Sequence, residues 1–105
     1  MAIFIVHFEH PDEAGWQQQL MPHIHFLQDL LAEGVLLASG PYPDADVKSA
    51  MLLIVAADEV EAHAIIARDP FAEHGLIENM TVTKWDPIFG VFNDLSSMPG
   101  TMQSR

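Results

Sequence analysis

Val35-Leu36-Leu37-Ala38-Ser39-Gly40-Pro41-Tyr42-Pro43-Asp44, followed shortly by Ser49-Ala50-Met51-Leu52-Leu53-Ile54-Val55-Ala56-Ala57, is the stretch on which the fold turns. It reads as strand, loop, strand, with no helix between. Val35 to Ser39 is a short apolar run, and Gly40-Pro41-Tyr42-Pro43-Asp44 excludes a continued helix or a central strand up to about Lys48. Ser49 to Ala57 is a longer run, apolar on both of its alternating faces. Upstream, Ala2-Ile3-Phe4-Ile5-Val6-His7-Phe8 is β-branched and aromatic and is stopped by Pro11, so it is another strand. Its two faces, Ile3, Ile5, His7 and Phe4, Val6, Phe8, are both largely apolar.

Helical patterns fill the two remaining gaps. Asp12 to Gln19 is polar around Trp16 and reads as a short helix or helical turn. Pro22 suits a first helical turn, whose N–H groups lack intrahelical partners, so a second segment is expected from about Met21 or Pro22. Its apolar positions Ile24, Leu27, Leu30 and Leu31 have three-and-four spacing, and Gly34 ends it. Downstream, Asp58 to Arg68 forms a helix with Asp58 as cap and Glu61 three residues on. Val60, Ala64 and Ile65 are its expected apolar stripe, and Pro70 forces Asp69 out of helical geometry. His74 to about Trp85 is the last strand.

The order β-α-β-β-α-β is the split βαβ, ferredoxin-like α+β arrangement, an antiparallel sheet with two helices on one face. Two helices cover one side only, yet at least two strands are apolar on both. A large exposed apolar face is rare on a monomer, so a homodimer with sheets packed face to face is expected. Residues 1–89 form the domain and 90–105 a C-terminal extension. The tail from Pro87 carries Phe89, Val91, Phe92, Leu95 and Met98, so its first half is expected to cover its own domain or the partner. The last few residues are expected to be loose.

Composition restricts the partners. The 105 residues hold 15 acids against four Lys or Arg, a net charge of −11. The four bases (Lys48, Arg68, Lys84, Arg105) are scattered, which excludes the clustered cationic face that nucleic acid or an anionic membrane surface requires. No apolar run reaches membrane-spanning length and no secretory leader pattern opens the chain, so a cytoplasmic protein is expected. With no cysteine there is no disulfide, thiolate nucleophile or zinc–thiolate site.

Six histidines are the chemical resource: His7, His10, His23, His25, His63 and His74. No pair has the i, i+4 spacing of helical metal ligands, and His23 and His25 point to opposite sides of a helix, so no metal site is expected. His23 follows Pro22 and is placed in a first helical turn, where the dipole disfavours imidazolium and favours a neutral general base. The same position equally suits a polar residue decorating a helix start. Asp69 by spacing alone suits a turn aspartate bonding its own backbone. In the expected fold the two approach each other, and a carboxylate on one imidazole nitrogen leaves the other free to take a proton. No Gly-x-Ser-x-Gly elbow or glycine-rich phosphate loop is present.

Pro22-His23, the helix ending Leu30-Leu31-Ala32-Glu33-Gly34, Ala38-Ser39-Gly40-Pro41 and Asp69-Pro70-Phe71 together resemble the YciI-like (YCII-related) family over residues 1 to about 89. The resemblance implies a dimeric ferredoxin-like α/β barrel with an active site built on His23 and Asp69; His25 does not match the family position. Members of the family include a dehydrochlorinase acting on a chlorinated hydroxyhydroquinone, and muconolactone isomerase shares the broader barrel fold. The tail after Phe89 departs from shorter members.

The expected function is therefore a cofactor-free lyase or isomerase acting on a small cyclic or aromatic metabolite. His23 is its acid/base and Asp69 the orienting partner, with Gly40, Pro41 and Tyr42 at the substrate. The alternatives are a non-catalytic small-molecule-binding or accessory domain of the same fold and a cofactor-independent oxygenase on the same barrel.

Overall fold

The computed structural model describes residues 1–100. The strands are β1 (Ala2–Glu9), β2 (Leu36–Pro41), β3 (Ser49–Ala56) and β4 (Glu78–Trp85). The helices are α1 (Glu13–Ala32), α2 (Glu59–Ala67) and the single turn α3 (Pro70–Glu73), and a 3-10 turn spans Asn93–Leu95. The sheet order is β2-β3-β1-β4 and every neighbouring pair is antiparallel. This is the expected ferredoxin-like α+β fold.

Register sorts the side chains. In β1, Phe4 stands opposite Ile54, Val6 opposite Leu52 and Phe8 opposite Ala50, so the even-numbered residues share one face. That face carries the core, with Leu36 and Ala56 beside them and Phe26, Leu30, Ala62, Ile65 and Ile66 descending from the helices. On α2 the buried stripe is Ala62, Ile65 and Ile66, whereas Val60 is 78% exposed. The expected stripe through Val60 and Ala64 is corrected: the i, i+3, i+4 set holding both isoleucines removes more apolar surface from water. Asp58 caps α2 through a bond from the Glu61 amide at 2.8 Å, and Glu61 reaches back to the Ala57 amide at 3.0 Å.

The first helix differs from expectation. It is one 20-residue helix with Pro22 inside it, begun by Asp12, whose carboxylate accepts from the Gly15 amide at 3.0 Å. Proline removes one N–H bond and costs about 3 kcal/mol in a helix interior. Here a buried apolar stripe spanning Phe26 and Leu30 outweighs it. His23 consequently lies in the middle of a helix, and the dipole of a helix start does not act on it.

The odd-numbered face of the sheet carries no helix and is the more open one: Ile5, Met51 and Val55 are half-buried and His7 exposed, although Ile3, bordered by Leu95 and Ser96, and Leu53 are buried. Ile3, Ile5 and His7 run along it between Val55, Leu53 and Met51 on one side and Trp85, Thr83 and Thr81 on the other. Of the two expected roles for the first half of the tail, covering its own domain or the partner, Phe89 and Val91 do not fill the first, since they stay 73% and 90% exposed within this chain. The described tail is nevertheless ordered by polar contacts. Asp86 accepts from the Ser97 amide at 2.9 Å and hydroxyl at 2.5 Å, which holds its carboxyl below the ordinary range. Buried Asn93 donates to the Ile88 and Met98 carbonyls. The expected loose end falls on residues 101–105, outside the described residues.

Candidate active site

Helix α3 exists because of Asp69-Pro70-Phe71. Pro70 occupies the first helical position, where its missing N–H is no loss, and Asp69 caps the turn by accepting from the Phe71 amide at 2.9 Å. That bond is the local aspartate turn read from spacing. The same carboxylate also faces α1, where His23 Nδ1 donates to Asp69 Oδ1 at 2.9 Å and Oδ2 at 3.0 Å. Asp69 is fully buried and His23 nearly so, at 9% exposure. A carboxylate only accepts, so Nδ1 carries the hydrogen, and whenever the ring is neutral its lone pair is on Nε2.

Phe71 organises the aromatic wall around this pair. It lies flat against the His23 ring at 4.0 Å and 18°, and meets the His10 ring at 4.6 Å and 57°. Trp16 stacks more distantly at 6.4 Å, and the Lys48 ammonium sits 4.2 Å above the Trp16 ring, a cation–π contact that restrains a long side chain. His10 Nδ1 donates to the Leu76 carbonyl at 2.9 Å. Burial pushes its pKa down from the ordinary 6.5, the Leu76 bond opposes this, and His23 and Lys48 add to the lowering while Asp69 opposes it.

These groups border a cleft of about 400 Å³ between α1, α3 and the adjoining ends of β2 and β3. Its polar wall is His10, His23, Lys48, Ser39 and Ser49, and its apolar wall includes Trp16, Leu20, Ile24, Leu27 and Phe71. A mostly apolar cleft with a few convergent polar groups suits a small ring-bearing molecule. The depression between α2 and β4 is of similar size, about 440 Å³, but among the described residues His63 is the one ionisable group in its wall.

The structure joins His23 to Asp69 and sets Gly40 and Pro41 in the cleft wall. It does not bring Tyr42 there. Pro41 pairs with Ala50 on the helix-covered side, so the next residue points to the open face. There the Tyr42 ring stacks on His7 at 5.6 Å and its hydroxyl donates to His7 Nδ1 at 2.6 Å. His25 is exposed on the far side of α1. Sequence reasoning missed His10 and Lys48 as wall residues. The signal for His10 was strand alternation, since Phe4, Val6, Phe8 and His10 share parity. Among the described residues no three His, Asp or Glu side chains are grouped to hold a metal ion, and no helix is long and apolar enough to cross a membrane.

The fold is similar to that of 5-chloro-2-hydroxyhydroquinone dehydrochlorinase from Burkholderia phenoliruptrix AC1100, solved in complex with 2,5-dihydroxybenzoquinone. The TM-score is 0.69 at 22% identity, over 80% of this chain and 93% of that one. It is also similar to a dimeric ferredoxin-like protein of unknown function from Jannaschia sp. CCS1, with a TM-score of 0.47 at 15% identity over 82% and 99% of the two chains. No curated protein sequence matches. The model of the YCII-related domain matches residues 1–86, and the chain belongs to that family.

Proposed function

We propose that this protein is a cofactor-free lyase or isomerase acting on a small cyclic or aromatic metabolite. His23 is the general acid/base and Asp69 its orienting partner, with Gly40 and Pro41 shaping the substrate's surroundings. The observation that carries this reading is the buried bond between His23 and Asp69 at the edge of an aromatic-walled cleft. In an elimination, His23 Nε2 takes the proton of a ring C–H bond, those electrons form the new double bond, and the leaving group departs with the pair that bound it. In an isomerisation the same imidazolium returns the proton to a different atom. Lys48 supplies positive charge for an oxygen that becomes anionic on the way. A dehydrochlorinase with the same fold supports the first of these.

The test is turnover of a panel of chlorinated hydroquinols and unsaturated lactones by the wild type and by His23→Ala. A general base accounts for roughly 10²–10⁴-fold, and a loss of that size is expected with the fold intact by circular dichroism. Undiminished turnover in His23→Ala overturns the assignment. Binding without turnover in the wild type makes the chain a small-molecule-binding domain instead.

The working unit in this proposal is a homodimer closed through the open sheet faces, built on residues 1–89 with 90–105 as an extension. Ile5, Met51 and Val55 are only partly buried on that face, with no helix over them.

A further inference from the structure

We propose that His10 is a second ligand-contacting group of the cleft, accepting a hydrogen bond or proton at Nε2 from a hydroxyl on the same molecule that His23 acts upon. The inference rests on the cleft being the ligand site, and it adds a requirement to that reading: a ring with a donor hydroxyl reaching the far side of Phe71 from His23.

Geometry fixes the chemistry of His10. Its Nδ1 donates to the Leu76 carbonyl at 2.9 Å, and a carbonyl only accepts, so this nitrogen bears the hydrogen in either protonation state. In the neutral ring Nε2 is then an acceptor. Among the described residues no buried side-chain nitrogen or oxygen lacks a partner, and Nε2 has none among them, so it is not sealed inside the protein. The ring borders the cleft beside Phe71 and also a smaller depression beside Glu13 and Asp46; of the ionisable groups that act on it, His23 and Lys48 line the cleft and Asp69 is buried behind His23. Burial lowers the pKa of this ring, which favours the neutral form whose Nε2 accepts from a donor. A purely structural role would need only the Leu76 bond, which an amide side chain makes equally well. A residue 2% exposed that keeps a free acceptor toward a cavity is positioned for a guest.

Two imidazoles with the same tautomer thus flank one phenylalanine, each holding Nδ1 against the protein and leaving Nε2 outward. His23 is backed by a carboxylate, which fixes its tautomer and leaves Nε2 as the acceptor. His10 is backed by a neutral carbonyl, which suits it to recognise a hydroxyl and to draw its proton as charge builds on the ring.

The experiment follows the ring nitrogens of ¹⁵N-labelled protein by long-range ¹H–¹⁵N NMR during titration with hydroquinone and, separately, with its dimethyl ether. Hydroquinone is expected to move His10 Nε2 and to bind about tenfold more tightly than the ether, the worth of one hydrogen bond of this kind. In His10→Phe that preference is expected to vanish while the His23 signals still respond. If hydroquinone moves the His23 nitrogens and leaves those of His10 unchanged, the proposal fails and the cleft reading stands. If the preference survives in His10→Phe, the proposal also fails. If neither probe moves either imidazole, both the proposal and the cleft reading fall. Should His10→Phe not fold, the wild-type Nε2 response decides alone.

Discussion

At the scale of single residues, Asp69 holds two protein donors in a dry environment, the Phe71 amide and His23 Nδ1. Removing the carboxylate strands both. Asp69→Ala is expected to cost about 2–4 kcal/mol in denaturant unfolding. Asp69→Asn is different, because its carbonyl still accepts from Phe71. Its NH₂ then faces the imidazole and favours the tautomer with hydrogen on Nε2, so the base is lost while most of the stability remains. A fall in turnover of roughly 10²-fold or more is expected, with stability changed by about 1 kcal/mol; retained turnover would refute the orienting role. His10 gives a pH signature. Its folded-state pKa lies below 6.5, so as pH falls the unfolded chain takes up the proton first. Its contribution to stability is therefore complete above pH 6.5 and is lost as pH falls from there through the folded-state value. Unfolding free energies of wild type and His10→Gln, compared on either side of that window, are expected to show the larger acid loss in the wild type.

At the scale of elements, α1 carries an instructive glycine. Gly15 lies in its first turn, where alanine ordinarily gains up to about 1 kcal/mol. A Cβ there would stand 2.5 Å from Leu76 Cδ2 and 2.7 Å from the capping Asp12 Oδ2. Leu76 is buried and its carbonyl anchors His10. Gly15→Ala is thus expected to destabilise by about 1 kcal/mol, since overpacking exceeds the propensity gain, and to disturb the His10 ring signals; a stabilised variant would show that Leu76 has room to move. Such couplings were not legible in the sequence, whereas the elements largely were. Apolar alternation gave the strands, the cap residues gave α2, and the run without a helix between β2 and β3 gave the topology. Pro22 misled, because local propensity placed a helix boundary there and tertiary packing overrode it. His23 was therefore found for a partly mistaken reason: its pairing with Asp69 was right, its place at a helix start was not. Tyr42 was misplaced because its face is set by the register after Pro41, a single-residue matter that composition does not reveal.

At the scale of the whole molecule, one sheet face is covered by helices and the other is not. Ile5 lies near the middle of the open face, opposite Leu53 on one side and Thr83 on the other, with the Val55–Ile3–Trp85 row next to it. Burying such a face against its own copy is the arrangement that removes it from water without another element. In the proposed dimer each copy would carry −11, so the two would repel, and the apolar contact would have to exceed that repulsion. Two consequences follow from the opposed terms. Sedimentation equilibrium is expected to give twice the chain mass of 11.7 kDa, with the dimer tightened by added salt as the repulsion is screened. Ile5→Lys sets a charge in each half of the joint and is expected to give monomers while the helix-covered core, which Ile5 does not enter, keeps its far-ultraviolet spectrum. Should Ile5→Lys remain dimeric, the association lies elsewhere, and the exposed Phe89 and Val91 become the surface to alter next.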